Sequence, residues 1–208
     1  RLSVETVVAQ NPDLVVAENV TDVETVQRLR DAGLTVYHVR NEQSIEDVYD
    51  KVALFGQFVG ECEAAVETVR SMKTEFAVAE RATADREPRQ FLYAFYGYTA
   101  SENTFIGQVL AAAGGENVAT GEVEFPPTGY APIEPETVAA LDVQWLVYPG
   151  GEFAIPDNAA YEETAAMQNG NHFAVNDNHI SQPAPRIALA VRDATKAWYP
   201  DAYATANE

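Results

Sequence analysis

Two short segments of this chain share a pattern that few folds can accommodate. Residues 3–17 read SVETVVAQNPDLVVA and residues 134–148 read EPETVAALDVQWLVY, and the two align without a gap from Glu5 and Glu136 onward. In each copy, a short helix and a polar break precede a short apolar strand. Strands this short and evenly apolar are typical of parallel sheets that helices cover on both faces. The repeat therefore predicts a fold of alternating helices and strands.

The N-terminal region continues this alternation. A helix predicted to start at Thr21 ends near Ala32, and Gly33 suits the left-handed residue that closes a helix. The next strand is LTVYHV, residues 34–39. We assign residues 1–43 to a partial N-terminal α/β lobe, because this region has too few elements to close a sheet alone.

Residues 44–80 interrupt the alternation with one long apolar stripe. Apolar residues recur at steps of three and four from Ile45 to Phe76, without a proline, and Ser44 with Asp47 resembles a capping box. We predict one continuous helix, which would span about 50 Å. Two interpretations stay open: a rigid spine that joins two lobes, or one strand of a coiled coil.

The alternation resumes in the C-terminal region, residues 88–208. RQFLYAFY (89–96) is predicted to be a strand, TFIGQVLAAAGG (104–115) a helix closed by glycines, and the second repeat copy adds a helix and a strand. The last helix is predicted to begin at PAPR, where Pro185 lies in a first turn that tolerates a missing N–H. We assign this region to a self-contained C-terminal α/β lobe.

The charge balance excludes two classes of partner. Thirty-two Asp and Glu oppose thirteen Lys and Arg, a formal net charge of −19. Such a polyanion has no electrostatic reason to bind nucleic acid or an anionic membrane surface, and no segment approaches the ~18–20 apolar residues of a membrane span. Scattered acids with only three lysines are typical of proteins from high-salt organisms, although an ordinary acidic protein is the alternative.

The order and spacing of these segments resemble the substrate-binding proteins of ABC importers for vitamin B12 and for ferric siderophores or haem, the class III periplasmic binding proteins. The resemblance covers nearly the whole chain. It is carried by the two repeat copies, GLTVYHV, the predicted helix over 44–80, TFIGQVLAAAGGENV and PAPRIALAV. It implies two Rossmann-like lobes with parallel sheets joined by one long rigid helix, and a ligand held between the lobes.

The resemblance also implies a location and a partner for this protein. One feature of the chain differs from the family. Members capture their ligand outside the cytoplasm, often from a lipid anchor, and deliver it to an ABC permease without a catalytic step. Glu5 and Glu136 match the acidic residue that each lobe docks on the permease. Members normally carry roughly 50–60 further residues before the first repeat copy, so we expect the N-terminal lobe to be truncated here.

Candidate ligand contacts lie in loops that follow the predicted strands, where open α/β sheets bind ligands. The loops are rich in aromatic residues, which offer wide contact area with few rotors to freeze. The resemblance adds two polar residues in the loop before the last helix, although Arg186 could equally anchor that loop. The predicted contacts are Tyr96, Tyr98, Phe125, Tyr130, Phe153, His179 and Arg186.

Metal and catalytic signatures are missing from the sequence. Three dispersed histidines and the single Cys62 have no zinc-like spacing, and no nucleophile elbow or phosphate-binding glycine loop occurs. We therefore expect no metal site, no cofactor and no enzymatic activity; the ligand implied by the resemblance is cobalamin or an iron chelate. A small-molecule enzyme on the same architecture and an interaction protein that uses a coiled coil are the alternatives.

Overall fold

The computed structural model describes residues 3–18, 20–39, 42, 44–150 and 158–208. Its contacts divide the chain into two units, Arg1–Glu42 and Gln43–Glu208. In the N-terminal unit the elements are α1 (Val4–Ala9), β1 (Val15–Ala17), α2 (Val23–Asp31) and β2 (Val36–His38). Strands β1 and β2 pair in parallel, with Val15 opposite Val36, so this unit has the predicted parallel pairing.

Side-chain caps determine where the helices of this unit begin. The Ser3 hydroxyl accepts a hydrogen bond from the Thr6 backbone N–H at 3.1 Å, and Asp22, rather than the predicted Thr21, caps α2 by accepting from the Thr25 N–H at 2.7 Å. Gly33, with φ of +88°, follows α2 as the sequence predicted. These caps satisfy donors that a helix cannot satisfy internally.

Residues 44–83 form two helices, so the predicted single helix is wrong. Helix α3 (Ile45–Val59) begins at Ser44 with the predicted capping box, and α4 (Cys62–Thr83) follows after Gly60. Gly60 has a φ of +76°, in the left-handed region that glycine enters at little cost. The chain therefore leaves the first helix at this residue.

The two helices form a hairpin. The rings of Tyr49 and Phe76 lie 6.4 Å apart, edge to face, and the Lys73 ammonium lies 5.1 Å from the Tyr49 ring centroid. In one straight helix Tyr49 and Phe76 would be separated by about 40 Å. Val48 and Met72 are buried in the same core as the C-terminal strands, so this part of the apolar stripe packs within the C-terminal unit. The coiled-coil interpretation stays an alternative. The predicted role of this segment as a link between lobes stays a prediction.

A parallel sheet forms the centre of the C-terminal unit. Its four strands lie in the order β5-β3-β7-β8, and β4 and β6 form a separate antiparallel pair. The strands are β3 (Arg89–Tyr93), β4 (Tyr98–Ala100), β5 (Gly115–Asn117), β6 (Tyr130–Pro132), β7 (Trp145–Pro149) and β8 (His172–Val175). The helices are α5 (Phe105–Ala112), α6 (Pro135–Ala140), α7 (Ala159–Glu162), α8 (Ala165–Gln168), α9 (Asp177–Ile180), α10 (Ile187–Trp198) and α11 (Pro200–Ala206).

Successive residues at the end of strand β3 pack into two different hydrophobic cores. Phe91 and Tyr93 pack with residues of α4, α5 and α10, whereas Leu92 and Ala94 pack with residues of α6, α7 and α8. Because successive side chains of a strand point to opposite faces, helices cover the sheet on both sides. The predicted mixed α/β fold with parallel sheets is confirmed.

Over the described residues, none of the helices combines the length and the apolar character that crossing a bilayer needs.

Candidate ligand-binding site

The central strand β3 ends in a tight hairpin that displays two tyrosines. Phe95 and Tyr98 exchange backbone hydrogen bonds of 3.0 and 2.7 Å, and the two residues between them, Tyr96 and Gly97, have φ of +49° and +76°. Positive φ at both central positions is typical of a type I′ turn. The Tyr96 and Tyr98 side chains are consequently held in solvent, 63% and 45% exposed.

Aromatic side chains gather beneath this hairpin. The Phe95 ring lies 5.4 Å from that of Tyr93, 6.0 Å from that of Tyr98 and 6.0 Å from that of Tyr130, measured between centroids. We call these four residues the strand-end cluster, because they meet where β3 ends. Of the predicted contacts, the structure brings Tyr96, Tyr98 and Tyr130 to this place.

The carboxylate of Asp177, which begins α9, and the hydroxyl of Ser181, which follows α9, act on the buried Tyr93 of the strand-end cluster. The Ser181 hydroxyl donates a hydrogen bond to Oδ1 of Asp177. Burial raises the pKa of Tyr93, the Asp177 carboxylate raises it further, and the neighbouring Ser181 hydroxyl lowers it. Burial likewise raises the pKa of Tyr130. The carboxyl ends of β3 and β8 thus combine apolar rings, neutral phenols and one acceptor group.

The His179 side chain contacts helix α10. Its Nδ1 lies 3.3 Å from Oδ2 of Asp193 in α10, and its side chain is 18% exposed. The Arg192 Nε lies 3.2 Å from the other oxygen of the same carboxylate. The geometry gives His179 a structural partner, and its predicted contact with a ligand stays a prediction.

Arg186 and Phe125 lie apart from the strand-end cluster. Arg186 is the exposed N-cap residue of α10 and lines a groove of about 600 Å³ that also contains Glu67 and Glu75 of α4. Phe125 packs against the core on the α6 side of the sheet. Phe153 lies outside the described residues, so its predicted contact rests on the sequence alone.

The two glutamates of the repeat occupy equivalent places. Glu5 is exposed in the first turn of α1 and Glu136 is exposed in the first turn of α6. A backbone N–H and the Ser3 hydroxyl lower the pKa of Glu5. A carboxylate near a helix N-terminus is electrostatically favoured, which gives both residues a local role besides any role in docking.

A second groove runs along the edge strand β5. It has a volume of about 650 Å³, and its walls include Glu102, Glu116, Glu122 and Asp142. Gln90 donates to Glu116 at 2.6 Å and Thr120 donates to Glu102 at 2.6 Å. In the ranges that the structure describes, no group of three His, Cys, Asp or Glu side chains could hold a metal ion.

Sequence reasoning missed Tyr93, Phe95, Asp177 and Ser181. The sequence predicts one longer strand through Tyr93 and Phe95, because the Tyr-Gly pair that follows is not among the pairs typical of a two-residue hairpin. Asp177 is one of thirty-two acidic residues, and no local motif distinguishes it. Only the tertiary structure brings it beside Tyr93.

A family model and several curated relatives match this chain. The periplasmic binding protein family matches residues 1–178. A cobalamin-binding protein of Halobacterium salinarum is 37% identical over 196 residues, which cover 89% of this chain and 53% of the relative. An ABC transporter substrate-binding lipoprotein of Bacillus subtilis, YvrC, is 25% identical and covers 97% of this chain and 67% of the relative. The chain spans about half the length of the cobalamin-binding relative.

Solved structures show the same fold. The periplasmic haem-binding protein RhuT of Roseiflexus sp. RS-1 superposes with a TM-score of 0.78 at 24% identity, over 97% of this chain and 81% of RhuT. The vitamin B12-binding protein BtuF of Vibrio cholerae superposes with a TM-score of 0.74 at 19% identity, over 99% of this chain and 79% of BtuF. The family match over residues 1–178 shows that this chain belongs to the periplasmic binding protein family.

Proposed function

We propose that this protein is an extracytoplasmic solute receptor that captures a cobalamin-type corrinoid, or an iron chelate of the siderophore or haem type, and delivers it to an ABC permease. The observation that carries the proposal is the 37% identity to a cobalamin-binding protein, over 89% of this chain. The names of the relatives favour a binding protein over an enzyme, so the proposal contains no catalytic step and no resident cofactor.

The strand-end cluster and the hairpin above it support this choice of ligand. A corrin or porphyrin ring is wide and partly apolar, and rigid aromatic side chains offer such a ring a large contact area at low entropic cost. Tyr96 and Tyr98 are exposed enough to touch a ligand, and the Phe95 ring packs beside that of Tyr98. Phe153, His179 and Arg186 stay further candidates for contact, and the position of the ligand between two lobes stays a prediction.

Docking on a permease is the second half of the proposal. Glu5 and Glu136 are exposed at matching places in the two copies of the repeat, and one acidic contact in each copy would orient the receptor on a basic partner. The B. subtilis relative is named a substrate-binding lipoprotein of an ABC transporter, which supports both the partner and a location outside the cytoplasm, anchored to a membrane.

Direct binding to a panel of ligands tests the proposal. The intact protein would be titrated at molar salt with cyanocobalamin, haem and a ferric hydroxamate, with the absorbance of each coloured ligand corrected. We expect saturable binding of one ligand class with a dissociation constant in the micromolar range or below. Absence of binding to the whole panel, with a native circular dichroism spectrum, would contradict the proposed function.

A further inference from the structure

The antiparallel pair of β4 and β6, which we call the ribbon, carries two of the candidate ligand contacts. Tyr98 begins β4 and Tyr130 begins β6, and Tyr130 lies directly opposite Ala100. One end of the ribbon follows strand β3 through the hairpin bonds between Phe95 and Tyr98. A second attachment, at the other end, would fix where the two tyrosines lie.

Asn117 supplies this second attachment. It ends the edge strand β5 and is 8% exposed. The Ser101 N–H bonds across the ribbon to the Gly129 carbonyl, so the carbonyl of the preceding Ala100 points out of the ribbon. The Asn117 Nδ2 donates to this carbonyl at 2.7 Å. A side chain of the parallel sheet thus holds the end of the ribbon.

A second hydrogen bond fixes the orientation of the Asn117 amide. Its Oδ1 accepts from the Ala119 backbone N–H at 3.0 Å. A flipped amide would place a donor against this N–H and an acceptor against the Ala100 carbonyl, so only one orientation satisfies both partners. The donor is therefore directed at the ribbon.

A buried hydroxyl of the same ribbon provides a contrast. Thr99, in the middle of β4, is fully buried, but its Oγ1 has no hydrogen-bond partner in the part of the chain that the structure describes. Removing this hydroxyl should leave the ribbon in place. Removing the Asn117 donor, in contrast, leaves the Ala100 carbonyl without the side-chain partner that it has in the native protein.

We propose that Asn117 is a positioning residue for the ligand site, because its amide fixes the ribbon that carries Tyr98 and Tyr130. The Tyr130 ring lies edge to face with that of Phe95, 6.0 Å between centroids, so a displaced ribbon also disturbs the strand-end cluster. This inference rests on the proposed receptor function and adds to it a residue that acts through the ribbon.

The substitution Asn117→Asp tests this attachment with little change in shape. It keeps an acceptor for the Ala119 N–H but places a second acceptor against the Ala100 carbonyl. We expect the affinity of the intact protein for cyanocobalamin, measured by equilibrium dialysis at molar salt, to fall about tenfold. Thr99→Val is the matched control, because it removes a buried hydroxyl from the same ribbon, and it should bind like the wild type.

Hydrogen exchange separates positioning from a general loss of stability. The Ser101 N–H reports on the ribbon, and the Ala94 N–H, which bonds to the Val147 carbonyl at 2.9 Å, reports on the end of the sheet. In Asn117→Asp we expect the ratio of the Ser101 rate to the Ala94 rate to rise about tenfold. Gly56→Ala, which lowers stability by a collision between helices α3 and α4, should keep the wild-type ratio and the wild-type affinity.

The outcomes separate this inference from the function on which it rests. Wild-type affinity in Asn117→Asp, an unchanged ratio of exchange rates, or an equal loss of affinity in Thr99→Val would overturn the inference and leave the receptor standing. Asn117→Ser, whose side chain is too short to replace the amide donor, gives the same test if Asn117→Asp does not fold. Binding of no ligand in the panel by the wild type would remove the proposed function, and the exchange ratio would still decide whether Asn117 holds the ribbon.

Discussion

Tyr96 adopts a left-handed backbone conformation that tyrosine rarely adopts. Its φ of +49° places a large side chain where glycine or asparagine is usual, and such strain is often kept at functional sites. The hairpin that imposes this conformation also exposes the Tyr96 ring. The sequence predicted Tyr96 and Tyr98 as contacts because they follow an apolar strand, but it could not predict the turn that displays them.

The partners of single polar residues are determined by contacts between distant parts of the fold. His179 was predicted from the loop that contains it, yet its imidazole pairs with Asp193 on the following helix. Asp177, two residues earlier, instead raises the pKa of the buried Tyr93. Which side chain of such a loop faces which neighbour depends on tertiary packing, and one sequence carries no signal for it.

The alkaline stability of the protein should depend on Tyr203. Its hydroxyl donates to Glu75 at 3.1 Å, and burial, together with the Glu75 carboxylate, raises its pKa from 10 to about 12. Because the raised pKa keeps the folded phenol protonated while the unfolded one ionises, the contribution to stability is complete below pH 10 and is lost as the pH rises toward 12. Denaturant unfolding at several pH values from about 9 to 11 measures this loss.

Tyr203→Phe should lose less stability than the wild type over this pH range, because its unfolded state has one phenol fewer to ionise. Tyr98→Phe, which removes a hydroxyl from an exposed ring, is the matched control and should behave like the wild type. The same dependence on pH in all three proteins would contradict the assignment.

Among the elements, the strands were predicted more accurately than the long helix. Short apolar runs predicted β1 and β7, and both lie in parallel sheets. The apolar stripe over 44–80 predicted helix correctly but missed the turn, because the steps of three and four continue across Gly60. A glycine inside a helical pattern is compatible with a helix or with its end, and only the contact of the two helices decides.

The substitution Gly56→Ala tests the hairpin by the sign of its effect. A Cβ added at Gly56 would collide with the Cβ of Ala65 on the facing helix, and such overpacking costs about 1–3 kcal/mol. In a continuous helix the same change would stabilise the protein by up to about 1 kcal/mol. We therefore expect a lower free energy of unfolding for Gly56→Ala, measured by chemical denaturation.

The compensating change Ala65→Gly provides the control for this prediction. In the double variant the methyl group is moved from one helix to the other, so part of the lost stability should return. A gain of stability in Gly56→Ala alone would contradict the hairpin.

For the whole molecule, the family was predictable because its signal is spread over the chain. The repeat, the strands and the helix starts carried the resemblance together, and the match to the periplasmic binding protein family over residues 1–178 agrees with it. The identity of the ligand was not predictable, because aromatic loops suit several flat chelates equally well. The completion of the N-terminal lobe by further residues stays a prediction.

The net charge of −19 predicts that stability rises with salt. At low ionic strength the carboxylates repel one another in the folded state, and at about 1 M salt the Debye length falls to about 3 Å. Thermal unfolding at about 0.1 M and about 2 M KCl should give a midpoint several degrees higher at the larger concentration. Sucrose of equal osmolality is the control, and an unchanged midpoint in KCl would contradict a high-salt adaptation.

Docking should depend on Glu5 and Glu136 together. The double variant Glu5→Gln/Glu136→Gln should bind the cognate permease in detergent at least tenfold more weakly, because each lost carboxylate removes a contact to a basic residue. Its affinity for the ligand should not change. Glu24→Gln is the matched control, since Glu24 lies in the first turn of α2; equal weakening in this control would contradict the assignment.

The most direct test of the receptor proposal is equilibrium dialysis of cyanocobalamin against the intact protein at molar salt. We expect saturable binding at one site per chain, and at least tenfold weaker binding by Tyr96→Ala/Tyr98→Ala, which removes both rings of the hairpin. Phe58→Ala, which removes a partly exposed ring of α3, should bind like the wild type. Undiminished binding by the tyrosine variant would contradict the role of the hairpin, and no binding by a folded wild type would contradict the proposed receptor function.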